Sequence, residues 1–178
     1  MNKTYDIIYM DPPWRYGKAL PNGSGKQVNL EEYYYPTMSI SELKDMPIKD
    51  ITNKDSLIYM WVTSPFVRIG IDIAEHWGFE YSTIAFVWDK QVALMGSYTM
   101  GATEQVIVFK KKGGKIPQPR GARNIRQFIS EKRREHSRKP DDVRRRIELM
   151  HPTQSKLEMF ARTSPEGWDV WGNETDKF

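Results

Sequence analysis

The segment Asp11-Pro12-Pro13-Trp14 carries the residue types with the clearest chemical use in this chain. The Asp11 carboxylate and the Pro12 carbonyl are hydrogen-bond acceptors, and the two proline rings stiffen the turn that holds them. Two such acceptors could bind both hydrogens of a ring-conjugated amino group, such as that of adenine, and make its nitrogen more nucleophilic. Trp14 offers a flat face on which an extruded base could stack. The plain alternative is a Pro-Pro turn beside a buried tryptophan.

The run from Tyr5 to Met10 is apolar and rich in β-formers, and the two prolines must end it as a strand. Asp11 is therefore predicted at the carboxyl end of a strand, where ligands bind in open α/β sheets. Further strands are predicted over residues 55–62, 81–88, 103–109, 156–160 and 168–171.

Helices are predicted to begin at Ser39, which forms a capping box with Glu42, and at Ser64, where a proline follows. A third helix is predicted to begin at Pro140, with acidic residues in its first turn. Residues 15–36 are predicted to form a long loop. Alternating strands and helices predict a single α/β domain over residues 1–178.

Positive charge is concentrated between Lys110 and Arg146, although the net charge of the whole chain is only +4. Four carboxylates oppose this block, which is predicted to have little regular structure before Pro140 and to be mobile over 110–139. A basic block attracts polyanions, usually nucleic acid, whereas the alternative is a solvated loop that binds nothing. Its inner cations are Lys111, Lys112, Lys115, Arg120, Arg123, Arg126, Lys132, Arg133, Arg134, Arg138, Lys139, Arg144 and Arg145.

The chain has no cysteine, which excludes disulfides and cysteine zinc sites. Its three histidines, His76, His136 and His151, lack the spacing of a metal site, so we expect no metal. No run resembles a signal peptide or a membrane span, and we expect a cytoplasmic protein.

Several segments, in this order, resemble the MT-A70 family, which includes messenger-RNA adenosine methyltransferases and phage and bacterial DNA adenine methyltransferases. The similar segments are Asp11-Pro12-Pro13-Trp14, Tyr35-Pro36-Thr37-Met38, Trp61-Val62-Thr63, Trp77-Gly78-Phe79, Glu104 before an apolar run, residues 136–141, residues 157–162 and residues 167–174. The resemblance implies transfer of a methyl group from S-adenosylmethionine to the exocyclic amino group of adenine. It also implies a Rossmann-like fold, permuted so that the catalytic strand precedes the cofactor-binding strands.

The resemblance assigns roles by position, beginning with the catalytic set Asp11, Pro12, Pro13 and Trp14. It places Lys139 beside the methionine carboxylate of the cofactor and Arg162, Asn173 and Glu174 beside its ribose, and it also assigns Asp11 to the cofactor-binding residues. Tyr35, Glu104 and Arg138 are expected to border the pocket for the target base, together with Trp14. Glu158 could support the site or form a buried ion pair, and the sequence does not choose.

DNA is the preferred substrate in this interpretation, with RNA as the alternative and the basic block over 110–146 as the contact surface. A rival hypothesis is an inactive partner subunit that only binds nucleic acid, although the intact catalytic tetrapeptide argues against it. The resemblance is compatible with a homodimer or a heterodimer.

Overall fold

The first strand, β1 (Tyr5–Met10), lies inside the sheet and is covered on both faces. Ile7 and Tyr9 belong to one hydrophobic cluster, and Ile8 and Met10 belong to the other. Because successive side chains of a strand point to opposite faces, a strand covered on both sides must be apolar throughout. The structure, a computed structural model, describes residues 3–15, 37–96, 98–135, 137–173 and 175.

In the part of the chain that the structure describes, seven strands form one sheet in the order β5-β3-β4-β2-β1-β6-β7. The other strands are β2 (Thr52–Val62), β3 (Phe79–Leu94), β4 (Gly101–Lys111), β5 (Phe128–Ser130), β6 (Lys156–Met159) and β7 (Asp169–Trp171). Of these described strands only β4 runs opposite to the rest. The carboxyl ends of β1, β2, β3, β5, β6 and β7 therefore share one edge of the sheet, which we call the catalytic edge.

Among the described residues, three helices cover the two faces of the sheet: α1 (Ile40–Lys44), α2 (Val67–His76) and α3 (Asp141–Met150). Leu43 of α1 and Ile73 of α2 pack in the cluster that contains Ile8, whereas Val143 and Ile147 of α3 pack in the opposite cluster. No helix in the described part of the chain is long and apolar enough to cross a membrane.

Most of the predicted elements are present, with different bounds. The Ser39–Glu42 capping box forms, with Glu42 N–H donating to the Ser39 hydroxyl and Ser39 N–H donating to the Glu42 carboxylate. Ser64 is not the N-cap that we predicted, because a 3₁₀ turn spans Ser64–Phe66 and Thr63 occupies the capping position. The loop predicted over 15–36 lies outside the described residues, apart from Arg15.

The described residues of the basic block before Pro140 have little regular structure, as predicted, apart from the end of β4 and one short strand. Phe128–Ser130 forms β5, which pairs in parallel with β3 from Val87 to Asp89. This strand is only three residues long and buries only Ile129, so the sequence shows no clear alternation to reveal it.

Candidate active site

Asp11 follows β1 directly, at the catalytic edge. The tight turn after it is closed by a hydrogen bond of 2.8 Å from the Trp14 N–H to the Pro12 carbonyl. A carbonyl oxygen has two lone pairs, so the Pro12 oxygen keeps one for a further donor. Met38 N–H donates to the Pro13 carbonyl at 3.0 Å and fixes the other side of the turn.

Asp11 belongs to a series of alternating charges, Asp11, Lys139, Glu104 and Lys90, which we call the charge chain. The Lys139 ammonium lies 2.9 Å from the Asp11 carboxylate and 3.1 Å from the Glu104 carboxylate, and the second oxygen of Glu104 lies 3.2 Å from the Lys90 ammonium. The side chains of Lys90, Glu104 and Lys139 are 11%, 14% and 15% exposed. Two cations therefore balance two carboxylates in a poorly solvated site, which lowers the cost of burying each one.

Burial and the neighbouring charges shift the pKa values of Asp11, Glu104 and Lys139 in different directions. Burial raises the pKa of the Asp11 carboxyl, and the Lys139 ammonium opposes that rise. Burial also acts to raise the pKa of Glu104, but the Lys139 and Lys90 ammonium groups outweigh it, and the pKa is lowered. Burial alone would lower the pKa of Lys139, but Asp11 and Glu104 together raise it, so Lys139 stays charged.

A cavity opens beside Asp11 and is closed by the loops that follow β6 and β7. Its lining includes Pro12, Pro13, Phe160, Arg162, Trp171 and Asn173. Phe160 has φ of 59°, a strained value for a residue with a Cβ, and such strain is concentrated at functional sites. A Cβ added at Gly172 would lie 2.7 Å from the Ala161 carbonyl oxygen, so only glycine permits this close approach of the two loops.

The structure thus brings Asp11, Lys139 and Glu104 into one charge chain and Asp11, Arg162 and Asn173 into one cavity. The cofactor roles of Lys139, Arg162 and Asn173 remain predictions. Tyr35 and Glu174, also predicted at the site, lie outside the described residues.

Trp14 does not form the open stacking surface that the sequence suggests. Its side chain is buried, with 5% exposed, and one ring face stacks on Phe66 with the ring centroids 5.0 Å apart. The face against Phe66 is closed to a base, so a base contact would have to use the other face or the edge of the ring. The buried Trp14 indole N–H has no hydrogen-bond partner among the described residues.

Glu158 forms an ion pair of 3.1 Å with Arg144, and both side chains are largely buried. The same guanidinium donates to the Thr163 hydroxyl at 3.3 Å, beside Arg162. Glu158 also lines a second cavity, which adjoins the first at Asp11 and is bordered by Arg138. The ion-pair alternative for Glu158 is therefore confirmed, whereas its support of the site stays a prediction.

Three residues at the site were not identified from the sequence. Lys90 lies in β3 but beyond the predicted strand over 81–88, and Trp171 and Phe160 were assigned only to strands and family motifs. Trp171 is 48% exposed and contacts Phe160 edge-to-face at 5.3 Å between ring centroids, so it presents an aromatic surface at the cavity. No group of three or more possible metal ligands occurs among the described residues.

Comparison with known proteins identifies the family to which the chain belongs. The family profile for MT-A70 matches residues 5–174. A type II methyltransferase, M.MunI of a Mycoplasma species, is 44% identical over 97% of this chain and 78% of its own length. The N(6)-adenosine-methyltransferase MT-A70-like protein of Arabidopsis thaliana is 29% identical over 96% of this chain but only 24% of its own length. The mouse N(6)-adenine-specific methyltransferase METTL4 is 28% identical over 99% of this chain and 38% of its own length.

Proposed function

Because the chain belongs to the MT-A70 family, we propose that it methylates the exocyclic amino group of adenine in nucleic acid, with DNA as the polymer. The observation that carries the proposal is the Asp11 carboxylate at the catalytic edge, paired with Lys139 and open to a cavity that Arg162 and Asn173 also line. The preference for DNA is supported by the 44% identity to a type II methyltransferase, against 29% to the adenosine methyltransferase of A. thaliana.

The residues of the cavity fit S-adenosylmethionine as the methyl donor. Asp11 and Lys139 are a carboxylate and an ammonium that complement the two charges of its amino-acid end, and Arg162 and Asn173 can hydrogen-bond ribose hydroxyls. Trp171 offers a ring face for an adenine. When bound, S-adenosylmethionine supplies an electrophilic methyl group for the amino nitrogen.

The residues of this chain act on the adenine by orientation and by accepting hydrogen bonds. The Asp11 carboxylate and the free lone pair of the Pro12 carbonyl accept the two amino hydrogens, which makes the nitrogen lone pair more available. The proline rings hold both acceptors in position before the base arrives, so little reorganisation is needed during the reaction. Asp11 then passes the departing proton to solvent.

The chain order supports a permuted arrangement of the methyltransferase fold. The acceptor turn follows β1, whereas Arg162 and Asn173 follow β6 and β7, the last strands described. All described strands lie in one sheet, which supports a single catalytic domain.

The test is methyl transfer from labelled S-adenosylmethionine to duplex DNA, single-stranded DNA and RNA, followed by digestion to locate the label. We expect label on adenine N6, most of it in DNA, and a loss of about 10²–10³-fold in kcat for Asp11→Asn, since one transition-state hydrogen-bond acceptor loses its negative charge. Asp72→Asn, an exposed carboxylate on α2, is the matched control and should keep full activity.

Each outcome separates the hypotheses. Normal activity in Asp11→Asn would reject the mechanism. An absence of transfer by the wild-type protein, under conditions where nucleic acid binds, would reject the enzyme and favour the inactive binding subunit.

A further inference from the structure

Cations of the basic block occur at both opposite edges of the sheet. Lys110 lies opposite Leu57 of β2, and Leu57 lies opposite Ile7 near the start of β1, so the end of β4 is remote from Asp11. Gly121 N–H donates to the carbonyl of Met150, the last residue of α3, whose first turn adjoins Lys139. Lys112, Lys115, Arg120 and Arg123 therefore belong to the edge opposite the catalytic edge.

Lys132 and Arg133 lie at the catalytic edge instead. They follow β5, which is parallel to β3, and the Arg133 N–H donates to the Lys90 carbonyl at 3.1 Å. The Lys90 side chain in turn binds Glu104, which binds the same Lys139 ammonium as Asp11. Both Lys132 and Arg133 are exposed. They are thus two exposed cations joined to the acceptor site by a short series of contacts.

Most other cations of this segment are already engaged by carboxylates. Arg134 pairs with Glu131 and Asp141, and Arg138 pairs with Glu135. For Lys132 and Arg133 no ion pair occurs with any residue that the structure describes. Because Arg134 and Arg138 occupy the neighbouring carboxylates, the positive potential of Lys132 and Arg133 is left for an external anion.

The hairpin between β3 and β4 extends the same surface. Beyond Lys90 the chain has no charged residue from 91 to 103, and Met95 and Tyr98 are each 93% exposed. Exposed Met and Tyr side chains next to cations suit a ligand that has both phosphates and bases, because bases stack on apolar and aromatic side chains. A simple polyanion would use only the cations.

We propose that nucleic acid docks along the catalytic edge, with phosphates on Lys132 and Arg133 and bases against Tyr98 in the hairpin between β3 and β4. The cations of the opposite edge do not take part in this contact. This inference rests on the proposed function for the identity of the polymer. It divides the block 110–146, which the sequence presents as one basic surface.

The test compares two variants with the same loss of charge. Lys132→Gln with Arg133→Gln removes the proposed contacts, and Lys112→Gln with Arg123→Gln removes one lysine and one arginine from the opposite edge. Binding of a short fluorescein-labelled duplex DNA is measured by anisotropy over a range of salt concentrations. Methyl transfer to the same duplex is measured separately.

For Lys132→Gln with Arg133→Gln we expect the Kd and the KM for the duplex DNA to rise about tenfold at low salt, which corresponds to a loss of 1.4 kcal/mol of phosphate contact. Each lost phosphate contact should reduce the slope of log Kd against log salt by about 0.9. The control should match the wild-type protein. Tyr98→Ala should weaken binding without changing the salt slope, and unchanged binding there would remove the hairpin from the surface.

Equal losses in the two double variants, or no loss in either, would overturn the assignment of the surface to the catalytic edge. Equal weakening of heparin and DNA binding by Tyr98→Ala would also contradict the base contact. A wild-type protein that binds the duplex but does not methylate it would instead reject the proposed function, and the binding comparison would still decide the surface.

Discussion

Replacing Lys90 by methionine should disturb the active site, although Lys90 does not contact the acceptor Asp11. Lys90 is one of two ammonium groups that hold the Glu104 carboxylate, and the other is Lys139. Methionine keeps an unbranched side chain of similar length and removes the charge. Two carboxylates would then share Lys139 alone.

The geometry gives the size of the effect. At 3.2 Å the Lys90–Glu104 pair has a Coulomb energy of about 5 kcal/mol at an effective dielectric constant near 20. Part of this energy offsets the desolvation of both groups, so we expect a net loss of about 2–4 kcal/mol in the free energy of unfolding. The pKa of Glu104, held low by its two cations, should rise, and the pKa of Asp11, already raised by burial, should rise further.

Urea unfolding measures the stability change, and the pH dependence of kcat/KM for methyl transfer measures the electrostatic change. Because Asp11 must be ionised to accept the amino hydrogens, its higher pKa should move the acid limb of the pH profile to higher pH. Lys110→Met is the matched control, since Lys110 pairs with Glu80 at 2.8 Å but these side chains are 30% and 48% exposed. That exposed pair is screened by solvent and should contribute little to stability.

A second variant keeps the reasoning testable if Lys90→Met is too unstable to assay. Lys90→Met combined with Glu104→Gln removes one charge of each sign and leaves the Asp11–Lys139 pair, so its unfolding free energy should lie above that of the single variant. If Lys90→Met unfolds within about 0.5 kcal/mol of the wild-type protein and its acid limb does not move, the account of a coupled charge chain is refuted.

Two further predictions concern other buried groups. Arg144→Met leaves the Glu158 carboxylate without its cation, so the free energy of unfolding should fall by about 2–3 kcal/mol. It also removes the hydrogen bond to Thr163 in the loop before β7, so the KM for the methyl donor should rise several-fold with little change in kcat. An unchanged KM would exclude this positioning role. Burial, with nearby cations, lowers the pKa of His151 from 6.5 to about 4. As the pH drops, this imidazole is therefore protonated in the unfolded chain before it is protonated in the folded protein. The free energy of unfolding should consequently fall as the pH drops from about 6.5 toward 4. Urea unfolding of His151→Gln should show a flatter pH dependence over that range, by at most about 3 kcal/mol, and an equal slope in both proteins would contradict the shift.

The sequence predicted those features that depend on neighbouring residues. Ile7 and Ile8 are buried on opposite faces of the sheet, which requires an apolar run of residues. Because the two prolines end this strand, the place of Asp11 could be predicted. The Ser39–Glu42 capping box is likewise formed within four residues. The motifs that resemble the family also predicted the type of reaction, because the chemistry requires particular residue types in a particular order.

The tertiary structure decided the features that depend on distant partners. Nothing near Lys90 in the sequence indicates Glu104 or Lys139, since their contact requires β3 and β4 to pair in a specific register. Phe66 closes one face of Trp14 because α2 packs beneath the turn, which no local pattern records. The basic block is one surface in the sequence but two in the molecule, because the antiparallel β4 carries Lys110 away from Asp11 and the parallel β5 brings Lys132 back. The sequence by itself determined the acceptor turn and its chemistry, whereas the direction of each strand decided which charges reach it.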